Sequence, residues 1–267
     1  FKGWQTFSNG GAQYFDGDTY VVPDSNTTLY AIWERNLKTI TFNYNSGTGD
    51  IASKQYGEGL SAILPTGAEV NALKQNYTFR GWSTVANGGT QILEGNFYYV
   101  ASNITLYAIW ERNEVRITLN YNGGTDGSYS ETGEITYLQG DNVYLPTQNE
   151  SGAERQYYTF LGWQTEENGG TQYLTGAAYM PLDNVTLYAI WERNKASLIV
   201  NPNGGTITTS VFTHNQGSIP ELPTQAEMGI AREYYTFLGL AFTQVDADAG
   251  KVYNGGSFTL ITDLTLY

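Results

Sequence analysis

The chain of 267 residues has no cysteine, a single histidine and two methionines. Without cysteine, neither a disulfide framework nor a thiolate–metal site can form. Basic residues are also scarce: 13 Lys plus Arg stand against 26 Asp plus Glu, for a net charge of −13. That balance excludes the basic footprint that nucleic acid or anionic lipid requires. No apolar run approaches membrane-spanning length, and no signal peptide is present. The chain opens at Phe1 in mid-repeat, so the natural start is expected upstream. Small extracellular domains often depend on disulfides. Here 22 Tyr, 11 Phe and 6 Trp offer large buried areas instead.

What is present is repetition. The run Thr-Leu-Tyr-Ala-Ile-Trp-Glu-Arg-Asn occurs at 28–36, 105–113 and 186–194, and begins again at Thr265. Its Trp residues, 33, 110 and 191, lie 77 and 81 residues apart. A second element, Tyr-Thr-Phe-x-Gly-Trp, occurs at 77–82 and 158–163. It is shortened to Phe1–Trp4 at the start and becomes Tyr235–Leu240 at the end. A period of about eighty exceeds that of helical solenoids and suits small tandem domains.

Each repeat reads as β structure. Lys38–Tyr44, Val115–Tyr121 and Lys195–Val200 alternate as opening strands, and Asn-Gly-rich turns follow. A second strand is expected before Leu-Pro-Thr at 64–66, 145–147 and 222–224, where proline ends the ladder. A short helix is expected over Glu69–Gln75 and Ala226–Glu233, with Gly152 and Gly229 counting against it. Tyr-Thr-Phe-x-Gly-Trp makes the next strand. The repeat closes on Ile104–Trp110 or its equivalent, whose two apolar faces predict a central strand covered on both sides. Four extra residues in the third repeat fall between Tyr121 and Leu145, at a hairpin tip where length costs little. Glu-Arg-Asn runs almost directly into the following strand, which predicts semi-rigid coupling of neighbours.

These elements resemble the Listeria–Bacteroides repeat, the module similar to the B repeat of internalin-type surface proteins. The resemblance covers repeats 37–113, 114–194 and 195–267, the last without its final strand residues, and a C-terminal half-repeat at 1–36. It implies a mainly β, β-grasp-like small module, with one short helix at most, in a linear tandem array. It further implies an extracellular, cell-surface or secreted protein of bacteria or archaea, in which such units form adhesin-like stalks. It carries no catalytic residues. Two departures stand out. The ten-residue segment before Tyr77, Tyr158 and Tyr235 is longer than usual, and the last repeat has Leu240 for Trp and Pro202 for Tyr.

Candidate chemistry is sparse. His214 has no counterpart in other repeats, and the carboxylates shift between repeats where a catalytic pair would be fixed. Asp16-Gly17-Asp18 and Asp246-Ala247-Asp248 lack the spaced ligands of a calcium loop and read as solvated turns. The lysines do not recur at one position, which argues against Lys–Asn crosslinks. No cofactor or metal is expected. Acceptor tripeptides begin at Asn26, Asn103 and Asn184, at one repeat position, and at Asn76 and Asn149 elsewhere. Folding alone can produce the first three, since Asn suits a turn and Thr starts a strand; glycosylation at Asn26, Asn76, Asn103 and Asn184 is the alternative expectation. Trp4, Trp33, Trp82, Trp110, Trp163 and Trp191 read as structural core, while Tyr98–Tyr99 and Tyr157–Tyr158 offer a sugar-stacking alternative if exposed.

The expected role is a non-catalytic stalk segment of a surface protein or fibre. Its partners are neighbouring repeats, and in a fibre other copies. The alternative is a binding module that contacts a host or cell-surface glycan or protein through edge strands or tyrosines.

Overall fold

The closing strand is the centre of each complete sheet. In a computed structural model, which describes residues 1–128, 130–253 and 255–267, the chain divides into two units, Phe1–Asn113 and Glu114–Tyr267. It is mainly β, built as several small sheets in tandem with no barrel.

The first unit begins with β1 (Gly3–Phe7), β2 (Gly10–Phe15) and β3 (Tyr30–Ile32), a three-stranded sheet in the order β2-β1-β3. After it come β4 (Leu37–Asn43), β5 (Ser53–Gly57), β6 (Ser61–Ile63), β7 (Tyr77–Ser83), β8 (Gln91–Leu93), β9 (Phe97–Tyr99) and β10 (Ile104–Arg112). Five of these form one sheet in the order β5-β4-β10-β7-β8. β10 runs parallel to β4, with Leu106 beside Phe42, and antiparallel to β7, with Ala108 beside Trp82. β6 and β9 make a separate antiparallel ribbon. The core gathers Ile40, Phe42, Trp82, Val100 and Leu106, all at most 4% exposed.

The second unit repeats this plan. β11 (Glu114–Asn120), β12 (Thr132–Leu138), β13 (Val143–Tyr144), α1 (Gln148–Ser151), β14 (Tyr158–Glu166), β15 (Gly169–Leu174), β16 (Ala178–Tyr179) and β17 (Val185–Arg193) give the sheet β12-β11-β17-β14-β15. Ile117, Leu119, Trp163, Leu187 and Ala189 are buried beneath it. The four-residue insertion falls in the β11–β12 connection, part of which, residue 129, lies outside the described residues. Beyond it, β18 (Lys195–Val200), β19 (Val211–Asn215), α2 (Gln225–Met228), α3 (Gln244–Asp248) and β20 (Leu264–Leu266) form a sheet of three strands, β19-β18-β20, with its own core around Leu198, Met228 and Leu266.

The helices differ from expectation. Both α1 and α2 are single turns: α2 starts one residue before the expected Ala226, at Gln225, and α1 starts at Gln148, where no bounds were expected. Thr147 with Glu150, and Thr224 with Glu227, form reciprocal capping boxes that fix those starts. Gly152 and Gly229, at φ 68° and 57°, end them as left-handed caps, so the glycines define the helix rather than oppose it. In the second repeat the expected helix over 69–75 is a turn instead, with Asn71 at φ 49°. The Asn-Gly-Gly turn of earlier repeats is replaced in the last by α3, capped by Thr243.

Trp82 and Trp163 are buried at 1% and 0% exposure, and each donates its indole N–H to a proline carbonyl, Pro65 and Pro146. Trp110 and Trp191 are half-buried, packed edge-on against Phe79 and Phe160. Trp4 and Trp33 depart from the expected core position, at 45% and 74% exposure. Among the described residues their sheet has the three strands β2-β1-β3, with β3 at its edge.

Candidate inter-repeat junction

The Glu-Arg-Asn after each closing tryptophan, whose Glu and Arg end β10 and β17, carries polar side chains bonded to backbone partners. Within the first unit, Arg35 Nη1 donates to the carbonyl of Glu58 at 3.0 Å. The Glu58 amide donates back to the carbonyl of Asn36 at 2.8 Å. The arginine stem lies over Gly57, where an added Cβ would come within 2.7 Å of Arg35 Cδ. A closing-strand arginine therefore grips the turn after β5 of the next repeat.

The same clasp recurs within the second unit. Arg193 Nη2 donates to the carbonyl of Gln216, and Nη1 to the hydroxyl of Tyr158, each at 3.0 Å. The Gln216 amide donates to the carbonyl of Asn194 at 2.8 Å. Gln216 sits in the turn after β19, the counterpart of Glu58. Tyr157 holds a left-handed backbone at φ 67°, costly for so large a side chain, and its ring lies against Gly217. Any side chain at Gly217 would meet that ring at 2.4 Å.

Tyrosine faces complete the arrangement. The guanidinium of Arg155 lies 4.0 Å and that of Arg193 5.0 Å from the Tyr158 ring centroid. In the second repeat Lys74 and Arg112 take these places over Tyr77, at 4.4 and 5.9 Å. In the last, Arg232 lies 4.1 Å from Tyr235. The arginine hydrogen bond holds the Tyr158 phenol below its ordinary pKa. Burial instead pushes Tyr44, Tyr56, Tyr121, Tyr137 and Tyr179 up. Arg193 Nε is buried without a hydrogen-bond partner, a cost accepted for the position of the other two nitrogens.

The Asn of Glu-Arg-Asn is fixed as well. Asn194 donates its amide to the carbonyl of Tyr157 at 2.9 Å and accepts from Thr159 Oγ1 at 2.7 Å. Asn113 does the same with Asn76 and Thr78, at 2.9 and 2.6 Å. Arg193 and Asn194 are therefore a bound segment of the fold.

The glycosylation candidates have structural occupations. Asn103 Oδ1 accepts the amide of Thr39, and Asn184 Oδ1 that of Arg116, each at 2.8 Å. Asp263 takes the same place, accepting from Ser197 at 2.8 Å. Only the oxygen is used, which explains why Asn and Asp interchange here. Asn76 adopts φ 63° and offers its carbonyl to Asn113. Asn26 is exposed.

The remaining sequence candidates are not brought together. Asp18 accepts the amide of Phe15, and Asp246, in the first turn of α3, accepts from the hydroxyl of the capping Thr243. Among the described residues, no three His, Cys, Asp or Glu gather where they could hold a metal. His214 is half-buried on β19. Tyr157 and Tyr158 are committed to the junction, and Tyr98 packs on the core while Tyr99 is exposed. The clasp itself was missed by sequence reasoning. The recurrence of Arg35, Arg112 and Arg193 was visible, but a backbone carbonyl has no sequence signature.

The geometry defines a class: a tandem-repeat β protein whose repeats share one plan and, within each unit, are joined by a fixed segment. The chain belongs to the Listeria-Bacteroides repeat domain family, whose model matches residues 1–32, 39–109 and 116–190. Among relatives, it is 30% identical across its whole length to a protein of Evansella cellulosilytica named, provisionally, a Gly-rich membrane protein. It is 27% identical, again along its full length, to another from that organism named as a membrane protein. Internalin H of Listeria monocytogenes is 32% identical over 53% of the chain. The chain spans 28%, 38% and 23% of the lengths of these three proteins. Among the described residues no helix is long and apolar enough to cross a membrane.

Proposed function

We propose that this chain is a non-catalytic, semi-rigid spacer in the repeat region of an extracellular surface protein, holding functional parts away from the cell. The observation that carries this reading is the arginine clasp. A flexible linker would leave Glu-Arg-Asn in solvent, whereas here Arg193 donates to the Gln216 carbonyl and the Tyr158 hydroxyl, and the Asn194 side chain accepts from the Thr159 hydroxyl. Coupling neighbours in this way makes each repeat stabilise the next, as in other repeat chains. The strand order, with parallel central strands flanked by antiparallel ones, supports a β-grasp-like module. The acidic charge fits a soluble segment whose copies repel. The family and the kinship with internalin H support the surface location. Small-angle scattering of the 267-residue chain tests the reading: a rod-like profile supports it, and the profile of a freely jointed string of domains counts against it.

A second reading, a binding module, draws on one observation. Ile63 and Phe97 face each other across the β6–β9 ribbon and both are exposed, with exposed Tyr99 two residues along. An apolar patch of this kind can serve a partner protein or the face of a sugar. Glycan-array binding that is lost in Phe97→Ser would favour it.

A further inference from the structure

The chain enters each complete repeat on one strand and leaves it on that strand's parallel neighbour. β4 opens the repeat at 37–113 and β10 closes it, with Ile40 beside Ile104 and Asn43 beside Tyr107. β11 and β17 pair in the same way, from Ile117 beside Val185 to Asn120 beside Tyr188. In a parallel pair the start of one strand and the end of the other lie at opposite ends of the ladder. Tension between the two ends of a repeat therefore slides the strands past each other. The ladder bonds are evenly spaced along the pair, so they share that load and fail together. Strands pulled apart from one end would lose the same bonds one at a time.

Side chains extend the ladder in both directions. At its start, Asn103 Oδ1 accepts the Thr39 amide and Asn184 Oδ1 the Arg116 amide, each at 2.8 Å. At its finish, Asn45 Nδ2 donates to the Ala108 carbonyl at 3.4 Å, and Asn122 Nδ2 to the Ala189 carbonyl at 3.2 Å. Trp110 and Trp191 donate in the other direction, to the carbonyls of Tyr44 and Tyr121, each at 2.8 Å. All three contacts join the opening strand or its turn to the closing strand, and all three recur in both complete repeats. Ile40, Leu106, Ile117 and Leu187, which flank the ladder, are fully buried. Water is thereby kept from replacing the bonds as they stretch.

We infer that each complete repeat is a mechanical clamp, a force-bearing element that stays folded while its two ends are pulled apart. The opening and closing strands are the clamp, and the Asn and Trp contacts are its staples. This inference goes beyond the spacer role and does not depend on it. Load-bearing resides inside one repeat, whereas the spacer reading concerns the stiffness of the passage between repeats.

The test is single-molecule stretching of the full chain with two placements of the handles. The chain holds no cysteine, so cysteines at exposed positions take the handles specifically. Glu114→Cys with Glu192→Cys loads opposite ends of the β11–β17 pair and shears it. Glu114→Cys with Asp183→Cys loads the same end and peels it. A length gain of about 3.4 Å for each residue between the handles verifies in both cases that the repeat was folded. Forced unfolding follows the unfolding rate, so the lifetime at equal force is the readout. Sharing the load adds at least the strength of one more bond to the barrier, and the sheared repeat is expected to last about tenfold longer or more. Asn122→Gly, which keeps the left-handed turn and removes the staple, is expected to shorten the sheared lifetime and leave the peeled one unchanged. Equal lifetimes in the two placements overturn the clamp. An Asn122→Gly chain that loses nothing in shear, or loses equally in both placements, overturns the staples.

Discussion

Arg193 and Gln216 lie 23 residues apart, on either side of the passage from one repeat to the next, and the guanidinium donates to the Gln216 carbonyl at 3.0 Å. The same nitrogen fork reaches Tyr158 on the preceding repeat. One side chain thus joins the two, and the planar geometry of the fork sets the angle between its two bonds. Arg35 and Glu58 repeat the contact to the next turn in the first unit.

Arg193→Ala is expected to lower the stability of the last repeat by about 1.5–3 kcal/mol, the range for hydrogen bonds to a charged group. Arg193→Lys should recover little of it, since an ammonium cannot reproduce the fork. Urea unfolding followed by the exchange of β18 and β19 amides measures both. A full rescue by lysine would show that charge alone matters.

Trp163→Ala should cost about 3–5 kcal/mol, because the indole is fully buried and its N–H satisfies the Pro146 carbonyl. Trp163→Phe keeps most of the apolar contact and leaves that carbonyl without the indole, so a smaller loss is expected. Trp33→Ala, at an exposed position, should change stability little. Chemical denaturation of the three variants gives the ranking.

Asn184→Asp is expected to be nearly neutral and Asn184→Ala to cost about 1 kcal/mol or more, since only the oxygen bonds the Arg116 amide. Asp263 already performs this role. Thermal melts of the two variants decide, and a loss in the aspartate variant comparable to that in alanine would contradict the assignment.

The pH profile should fall on both sides. Glu69, Glu150 and Glu227 are held below their ordinary value of 4.5 by the backbone hydrogen bonds of Thr66, Thr147 and Thr224. Depressed carboxyls stabilise fully above that value, and the contribution disappears as pH falls through the folded pKa. At the alkaline end, the buried tyrosines are raised above 10.0. Their contribution is full below 10.0 and is lost as pH rises past it, because the unfolded chain ionises first. Tyr158, depressed, acts in the opposite direction, its contribution growing as pH climbs toward 10.0. Stability curves of wild type and Tyr158→Phe should therefore diverge on the alkaline limb, with the variant losing more.

Much of the fold was legible because the closing strand announces itself. Leu106 and Ala108 alternate with Tyr107 and Ile109, and a strand apolar on both faces belongs in the middle of a sheet. Gly152 and Gly229 were harder to read: glycine weakens a helix interior and ends a helix equally well, and the capping box that opens five residues earlier decides between the two. Exposure of Trp4 and Trp33 depends on which strands pack beside them, a tertiary fact that no local pattern contains. In the last repeat, Leu240 for Trp and an acidic run in place of Asn-Gly-Gly were visible as departures, but α3 appears only once Gln244 and Asp248 are seen bonded to Asn203. The junction was legible as a short connection and not as a clasp, since Arg193 bonds a carbonyl whose residue type is irrelevant.

Distances across the junction test the central claim most directly. The absence of cysteine allows spin labels at Gln172→Cys and Thr209→Cys, both exposed positions in the second unit on either side of Arg193. Pulsed electron–electron resonance is expected to give one narrow distance distribution in the wild-type background and a broadened one in Arg193→Ala. A broad distribution in the wild type, unchanged by Arg193→Ala, would contradict a rigidly clasped junction.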